Sequence, residues 1–215
     1  MQDYQSEFLE FVLANKILRF GKFTLKSGRV SPYFFNAGLF NTGEKLAFLA
    51  KSFAAAIVSS KQQFDVLFGP AYKGIPLASS TAIALNNDYG MNKPYSFNRK
   101  EAKIHGEGGV IIGAPLSGRV LIIDDVVTAG TAIREAVEIL HNNNAKLAGI
   151  AVAMDRQERG TGEISAIQEL EQTYKISVTN IINLQNIIDY LELSTDSSMQ
   201  ENICSVVEYR QEYGI

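Results

Sequence analysis

The stretch VLIIDDVVTAGTA at residues 120–132 constrains the fold of this chain more than any other part of the sequence. Four apolar residues, 120–123, predict a buried strand that ends on the adjacent carboxylates of Asp124 and Asp125. A short loop of small and hydroxyl-bearing residues follows, and helical sequence begins at Ala132. This order of strand, acidic pair, loop and helix is typical of a parallel α/β sheet.

The loop after the acidic pair has the composition of a phosphate site. Backbone N–H groups at a helix N-terminus point outward, and the helix dipole adds partial positive charge there. Gly130 allows a left-handed turn, and the hydroxyls of Thr128 and Thr131 add hydrogen-bond donors. Because carboxylates repel phosphate, sugar hydroxyls or a divalent cation are their natural partners. The pattern therefore predicts a sugar phosphate ligand.

A simpler interpretation of the same stretch is a capped helix. In that case one aspartate caps the helix and Gly130 marks a turn, but a cap needs a single acidic residue directly before the helix. A Walker loop is excluded because the GxxxxGK[ST] pattern is absent and this loop contains no lysine. The GxGxxG pattern of dinucleotide-binding folds is absent as well.

The segment resembles the phosphoribosyl diphosphate (PRPP) signature of type I phosphoribosyltransferases, and DDVVTAGTA resembles that of the orotate phosphoribosyltransferase family. The resemblance implies a type I fold: α/β, with a mostly parallel sheet flanked by helices and a small N-terminal hood over the base site. It implies that the two aspartates face the ribose hydroxyls and that the loop from Thr128 to Ala132 holds the 5′-phosphate. The residues of this segment expected to bind PRPP are Asp124, Asp125, Val126, Val127, Thr128, Ala129, Gly130, Thr131 and Ala132.

Composition narrows the class of protein. A chain of 215 residues is expected to form one domain, residues 1–215, with the hood formed largely by residues 20–40 and part of the C-terminal region. The formal net charge of −3 argues against nucleic-acid or membrane-surface partners. Cys204 is the single cysteine, no basic leader is present, and no apolar run reaches membrane-spanning length. A soluble cytoplasmic protein is expected.

Strand-like and helical patterns alternate along the rest of the chain. Helices are expected at the N-terminus, at residues 42–60 and at residues 76–86. The expected strands lie at residues 66–68, 94–97, 120–123 and 147–154, with weaker candidates at 176–178 and 181–182. Residues 160–170 and 194–202 are expected to be exposed connections, and the final helix is expected to pack on the surface.

A second strand, loop and helix lies in VLFGPAYKGIPLA at residues 66–78. Its glycines and Pro70 shape a tight turn, and Lys73 supplies a cation, although a plain turn with a solvated lysine would look the same. The resemblance implies that Tyr72 and Lys73 bind PRPP, that the backbone from Ala71 to Lys73 holds the pyrophosphate, and that the Ala71–Tyr72 peptide bond is cis.

The segment RKEAKIHGEGG at residues 99–109 concentrates positive charge next to glycines. A solvated charged loop is the usual interpretation, but a departing pyrophosphate also needs cations that close over it. The resemblance implies that Arg99, Lys100, Lys103 and His105 bind PRPP and that Lys103 and His105 act in the site of the neighbouring subunit. Ile104 departs from the family pattern, in which many members have an acidic residue.

Two further segments resemble the part of the family that holds the base. In LKSGRVSPYFFNAG at residues 25–38, the resemblance implies that Lys26 approaches PRPP and that the main chain and rings of Phe34 and Phe35 meet orotate. A hairpin with a core aromatic cluster is the alternative. Arg156, which follows a buried strand, is implied to bind the orotate carboxylate through a bidentate fork, or it simply pairs with Asp155 or Glu158. Thr128 is also an expected orotate contact.

Together these segments imply a Mg²⁺-dependent transfer of ribose 5-phosphate from PRPP to orotate in a homodimer with shared active sites. Mg²⁺ is expected to be held mainly through PRPP, with no firm direct protein ligand. The residues expected to act in catalysis are Lys73, Arg99, Lys103, His105, Asp124 and Asp125. Two alternatives keep the PRPP loop: a purine phosphoribosyltransferase with a different base segment, and a PRPP-sensing regulator without catalysis.

Overall fold

The computed structural model of the protein describes residues 1–25, 27–103, 109–160 and 162–215. The strands are β1 (Leu18–Thr24), β2 (Val30–Phe35), β3 (Val66–Gly69), β4 (Tyr95–Lys103), β5 (Gly109–Gly113), β6 (Arg119–Val126), β7 (Lys146–Asp155) and β8 (Ser177–Asn183). The helices are α1 (Asp3–Ala14), α2 (Gly43–Ser60), α3 (Gly74–Tyr89), α4 (Thr131–Asn142), α5 (Ala166–Tyr174), α6 (Leu184–Leu193), α7 (Ser197–Gln200) and α8 (Ile203–Tyr213).

The centre of the fold is a mostly parallel sheet. Within the described ranges its strands follow the order β5-β4-β3-β6-β7-β8. From β4 to β8, each strand is parallel to its neighbours in this order. Strand β5 pairs with β4 in the antiparallel direction at one edge. The central strands carry continuous apolar runs because helices cover both of their faces, and residues 120–123 of β6 are buried. The predicted α/β class is confirmed.

Helices on the two faces of the sheet enclose two apolar cores. Helix α4 presents a buried stripe at helical spacing, and this stripe packs on one core with residues from β3, β6 and β7. The larger core, on the other face, takes side chains from α1, α2, α3 and α6. None of the helices in the described ranges has the length and apolar character that crossing a bilayer requires.

Strands β1 and β2 form a separate antiparallel sheet, which we call the N-terminal sheet. Residues Ser31, Tyr33 and Phe35 of β2 alternate with more exposed neighbours and are buried. Helix α8 packs against this buried face, where the rings of Tyr33 and Tyr209 meet edge to face with centroids 6.1 Å apart. The C-terminal helix thus supports the strand that carries the expected base contacts.

The expected exposed connections are correct only in part. Residues 162–164 are exposed, but α5 begins at Ala166, inside the span expected to be a connection. Ser165 caps this helix, and the side chains of Ser165 and Gln168 exchange hydrogen bonds with each other's backbone N–H groups at 3.0 Å. The second expected connection contains the one-turn helix α7. The two weak strand candidates after residue 175 form one strand, β8.

Candidate active site

The predicted site segments meet at the carboxyl ends of the parallel strands. Strands β3, β6 and β7 run parallel, so their carboxyl ends lie side by side. The loop after β3 carries Lys73, β6 carries the aspartate pair next to its last residue, and Arg156 directly follows β7. The parallel sheet therefore brings together residues that are up to 83 positions apart in the sequence, from Lys73 to Arg156.

The aspartate pair lies in two different environments. The Asp124 carboxylate accepts a hydrogen bond from the backbone N–H of Asp125 at 2.9 Å, but burial and the neighbouring Asp125 carboxylate raise its pKa to about 6. Asp125 accepts from the backbone N–H of Val126 at 2.8 Å and pairs with Lys73, with Nζ 2.6 Å from Oδ2. This ion pair joins the loop after β3 to the acidic pair after β6.

The Lys73–Asp125 pair is open to solvent on its lysine side. The Lys73 side chain is 71% exposed, whereas that of Asp125 is 14% exposed. The hydrogen bond to Asp125 raises the pKa of Lys73, against a smaller lowering by burial. Because the Lys73 side chain is exposed, an anion can reach its ammonium group and take the place of Asp125 as its partner. Lys73 is therefore charged and available to a ligand.

The loop between β6 and α4 is open at the surface. Thr128, Ala129 and Thr131 are exposed, and Gly130 takes the left-handed conformation with φ of 71°. In the described structure no side chain caps the start of α4, and its first turn holds no acidic residue. The backbone N–H groups of this turn are thus accessible to an anion. Helix α4 begins one residue before the predicted start.

The loop after β3 is closed tightly on itself. A Cβ atom added at Gly69 would lie 2.0 Å from the carbonyl oxygen of Gly74, and one added at Gly74 would lie 2.6 Å from Cδ of Pro70. Only glycine fits either position. The Ala71–Tyr72 peptide bond is cis, as predicted.

Asn98 of β4 fixes this loop, and the sequence interpretation missed it. Its side-chain oxygen accepts a hydrogen bond from the backbone N–H of Ala71 at 2.9 Å. Beyond the loop, the Tyr72 ring is 67% exposed, and Nζ of Lys100 lies 5.2 Å from its centroid. The contact between Asn98 and Ala71 spans 27 residues, and no local motif indicates it.

The cations of β4 lie beside this loop. Among the described residues, Nη1 of Arg99 is buried and has no hydrogen-bond partner. Arg99 is one of the residues that line a cavity of about 410 Å³; the others are Pro70, Ala71, Asn98, Lys100, Ala132, Glu135, Ala136 and Ile139. Lys103 is the last residue of β4. The side chain of Lys103, and all of Lys26, Ile104 and His105, lie outside the described residues.

The two expected aromatic base contacts lie on opposite faces of β2. The Phe34 ring is partly exposed and packs on Phe23, with ring centroids 5.5 Å apart. The Phe35 ring is buried in the core against Phe8 and Phe40, at 6.4 and 6.3 Å. Side chains alternate along a strand, so the two rings face opposite ways. The contacts of Phe34 and Phe35 with orotate stay predictions.

Arg156 is held in a buried network. Glu158 Oε1 accepts from Nε of Arg156 at 2.8 Å and lies 2.6 Å from Nη2, and both side chains are 12% exposed. Nη2 also donates to Oγ of Ser31 at 3.1 Å. Asp155 instead accepts from the backbone N–H of Gln157 at 2.8 Å. Of the two simple pairings considered for Arg156, the structure has the one with Glu158.

This fold and site define a phosphoribosyltransferase: residues 39–168 match the family model described as the phosphoribosyl transferase domain. Orotate phosphoribosyltransferase from Hahella chejuensis is 58% identical over 215 residues, which cover 100% of this chain and 99% of that protein. The enzyme of the same name from Escherichia coli (strain K12 / DH10B) is 57% identical, with full coverage of both chains. The chain belongs to the orotate phosphoribosyltransferase family.

The fold agrees with this assignment. The crystal structure of orotate phosphoribosyltransferase from Francisella tularensis is 46% identical and has a TM-score of 0.88. The alignment covers 97% of this chain and 100% of that chain. The predicted type I fold and the predicted family are both confirmed.

Proposed function

We propose that this protein transfers ribose 5-phosphate from PRPP to orotate and releases orotidine 5′-phosphate and diphosphate, a step of pyrimidine biosynthesis. The observation that carries the proposal is the aspartate pair near the end of β6, followed by an exposed loop and the uncapped N-terminus of α4. Full-length relatives with 57–58% identity bear the name of this activity. A sugar bound by the carboxylates would place its 5′-phosphate on the N–H groups of the loop.

The chemistry requires charge stabilisation more than proton transfer. The bond between ribose C1′ and the pyrophosphate oxygen breaks, and its electron pair leaves with the pyrophosphate. A bond then forms between C1′ and a ring nitrogen of orotate, and the proton on that nitrogen leaves to the pyrophosphate or to water. Lys73, Arg99 and Lys100 would neutralise the leaving group, and Asp124 and Asp125 would hold the ribose hydroxyls beside the positive charge that develops on the sugar.

The acidic pair also fits a magnesium ion. Mg²⁺ is bound by oxygen ligands, typically one or two carboxylates together with substrate phosphates, and both aspartates lie at the open edge of the sheet. Bound in this way, the ion would withdraw charge from the departing pyrophosphate. We propose that PRPP supplies most of its ligands, and that Asp124 and Asp125 bind the sugar from the same edge.

A homodimer with shared sites is the second part of the proposal. Strands β4 and β5 lie at the edge of the sheet and carry Arg99, Lys100 and Lys103 toward the segment that joins them. We propose that a second copy of the chain packs beside this end of the sheet, so that Lys103 and His105 act in its site. We place the enzyme in the cytoplasm, where its exposed free cysteine, Cys204, would stay reduced.

The decisive experiment follows the ultraviolet absorbance of orotate after PRPP and Mg²⁺ are added to the purified protein. We expect the absorbance to fall, and we expect no fall with an Asp124→Asn, Asp125→Asn double variant, which lacks both ribose-binding charges. Adenine and hypoxanthine serve as alternative bases. Turnover of a purine without turnover of orotate would instead support a purine phosphoribosyltransferase, and PRPP binding without any turnover would support a regulator.

A further inference from the structure

Arg156 is held by more contacts than a simple ion pair provides. The guanidinium carbon lies 4.4 Å from the centroid of the Tyr33 ring, so the planar group rests on an aromatic face. Tyr33 also donates its hydroxyl hydrogen to Oε1 of Glu158 at 3.1 Å. One carboxylate oxygen of Glu158 therefore joins the arginine after β7 to strand β2 of the N-terminal sheet.

The hydrogen bonds of Arg156 determine which of its nitrogens can serve a substrate. A guanidinium has five N–H groups, and Glu158 occupies the edge formed by Nε and Nη2. Ser31 takes a further hydrogen bond from Nη2. The hydrogen bonds of Arg156 to Glu158 and Ser31 use Nε and Nη2 and do not use Nη1. The Nε and Nη2 edge of the fork that the resemblance assigns to orotate is thus engaged before any substrate binds.

The backbone around Arg156 is equally constrained. Gln157 has the left-handed φ of 50°, and its N–H donates to the side chain of Asp155 at 2.8 Å. The Gln157 side chain accepts from the backbone N–H of Gln185 at 3.0 Å. These two hydrogen bonds hold the turn and so fix the backbone position of Arg156. Glu158 then fixes the orientation of the guanidinium.

We propose that Glu158 is a positioning residue for orotate binding: it holds the guanidinium of Arg156 by the Nε and Nη2 edge and so presents Nη1 to the substrate carboxylate. The inference rests on the proposed function. Glu158 is paired with Arg156 in the absence of substrate and must remain paired while the substrate binds. It therefore acts on orotate only through the orientation of the guanidinium. Its effect on orotate must therefore vanish when Arg156 is absent.

A double-mutant cycle with two substitutions of Glu158 tests the proposal. Glu158→Asp keeps the charge but withdraws the carboxylate by one methylene, whereas Glu158→Gln keeps an oxygen at full reach without the charge. We expect Glu158→Asp to weaken orotate binding about tenfold and Glu158→Gln to change it by less than about threefold. The affinity for PRPP and kcat at saturating orotate should stay within about twofold of wild type in both. In an Arg156→Gln background, Glu158→Asp should have no further effect.

Glu163→Asp is the matched control, because Glu163 is exposed in the connection that follows. An equal loss in the Arg156→Gln background, or an unchanged affinity in Glu158→Asp, would overturn the proposal. A Glu158→Gln protein as weak as Glu158→Asp would also overturn it, since the charge of Glu158 would then matter as much as its reach. Should Glu158→Asp not fold, Tyr33→Phe carries the same test with an expected loss of about threefold. A wild-type protein that binds no orotate would refute the proposed function itself.

Discussion

The closed loop after β3 makes Gly69 the most informative single position for mutation. In Gly69→Ala the new Cβ would lie 2.0 Å from the carbonyl oxygen and 2.4 Å from the carbonyl carbon of Gly74. Contacts below about 3 Å are not tolerated, so the two ends of the loop must separate by about 1 Å. Overpacking of this kind costs about 1–3 kcal/mol of unfolding free energy. The displaced segment is the one expected to hold the pyrophosphate.

The displacement predicts a loss of activity larger than the loss of stability. A misplacement of about 1 Å at a reacting group lowers rates roughly 100-fold, and we expect kcat/KM for PRPP to fall by about that factor. Steady-state kinetics and thermal unfolding of the same preparation measure both quantities. Gly43→Ala is the control, because a Cβ at Gly43 meets no atom within 4 Å. A Gly69→Ala enzyme within threefold of wild type would refute the assignment of this loop to the leaving group.

Three further predictions concern the charged residues. Asp124 has a pKa of about 6 in the folded protein, against an ordinary value of 3.8, so the folded state binds this proton more tightly than the unfolded state does. The free energy of unfolding should therefore fall by ~3 kcal/mol as the pH rises from about 4 to about 6. Asp124→Asn should abolish this fall, which denaturant unfolding at each pH measures. Lys103→Ala should lower kcat about 100-fold in stopped-flow assays and leave orotate affinity, measured by calorimetry, within threefold; an unchanged kcat would remove Lys103 from the mechanism. Mixing inactive Lys103→Ala and Asp125→Asn chains should restore about a quarter of wild-type activity, because half of the random dimers are mixed and each mixed dimer has one intact site of two. An absence of recovery would exclude action in trans.

The sequence predicts those parts of the fold whose signals are local. The apolar run of β6, the acidic pair and the small-residue loop are contiguous, and they lie where predicted. The start of α5 also has a local signal, since Ser165 and Gln168 have the spacing of a capping box. The segment is polar, however, and polar composition favours a connection over a helix. Strand β5 was missed because it is a short edge strand.

The site is less predictable because its geometry depends on distant residues. Period-two alternation in β2 indicates from the sequence alone that the rings of Phe34 and Phe35 face opposite ways, and the structure has them so. By contrast, nothing near Arg156 decides between Asp155 and Glu158, since the choice depends on Ser31 and Tyr33 of the N-terminal sheet. The roles of Lys26, Lys103 and His105 stay predictions.

The contact between Lys73 and Asp125 has a thermodynamic consequence for how ligands load. An anion that binds Lys73 alone leaves the Asp125 carboxylate without its partner. A positive ligand group that binds Asp125 alone leaves the Lys73 ammonium without its partner. Each ligand by itself must therefore meet the whole cost of separating the two residues, whereas both together share it. Inorganic pyrophosphate and a divalent ion should accordingly bind with positive cooperativity, each raising the affinity of the other by the same factor.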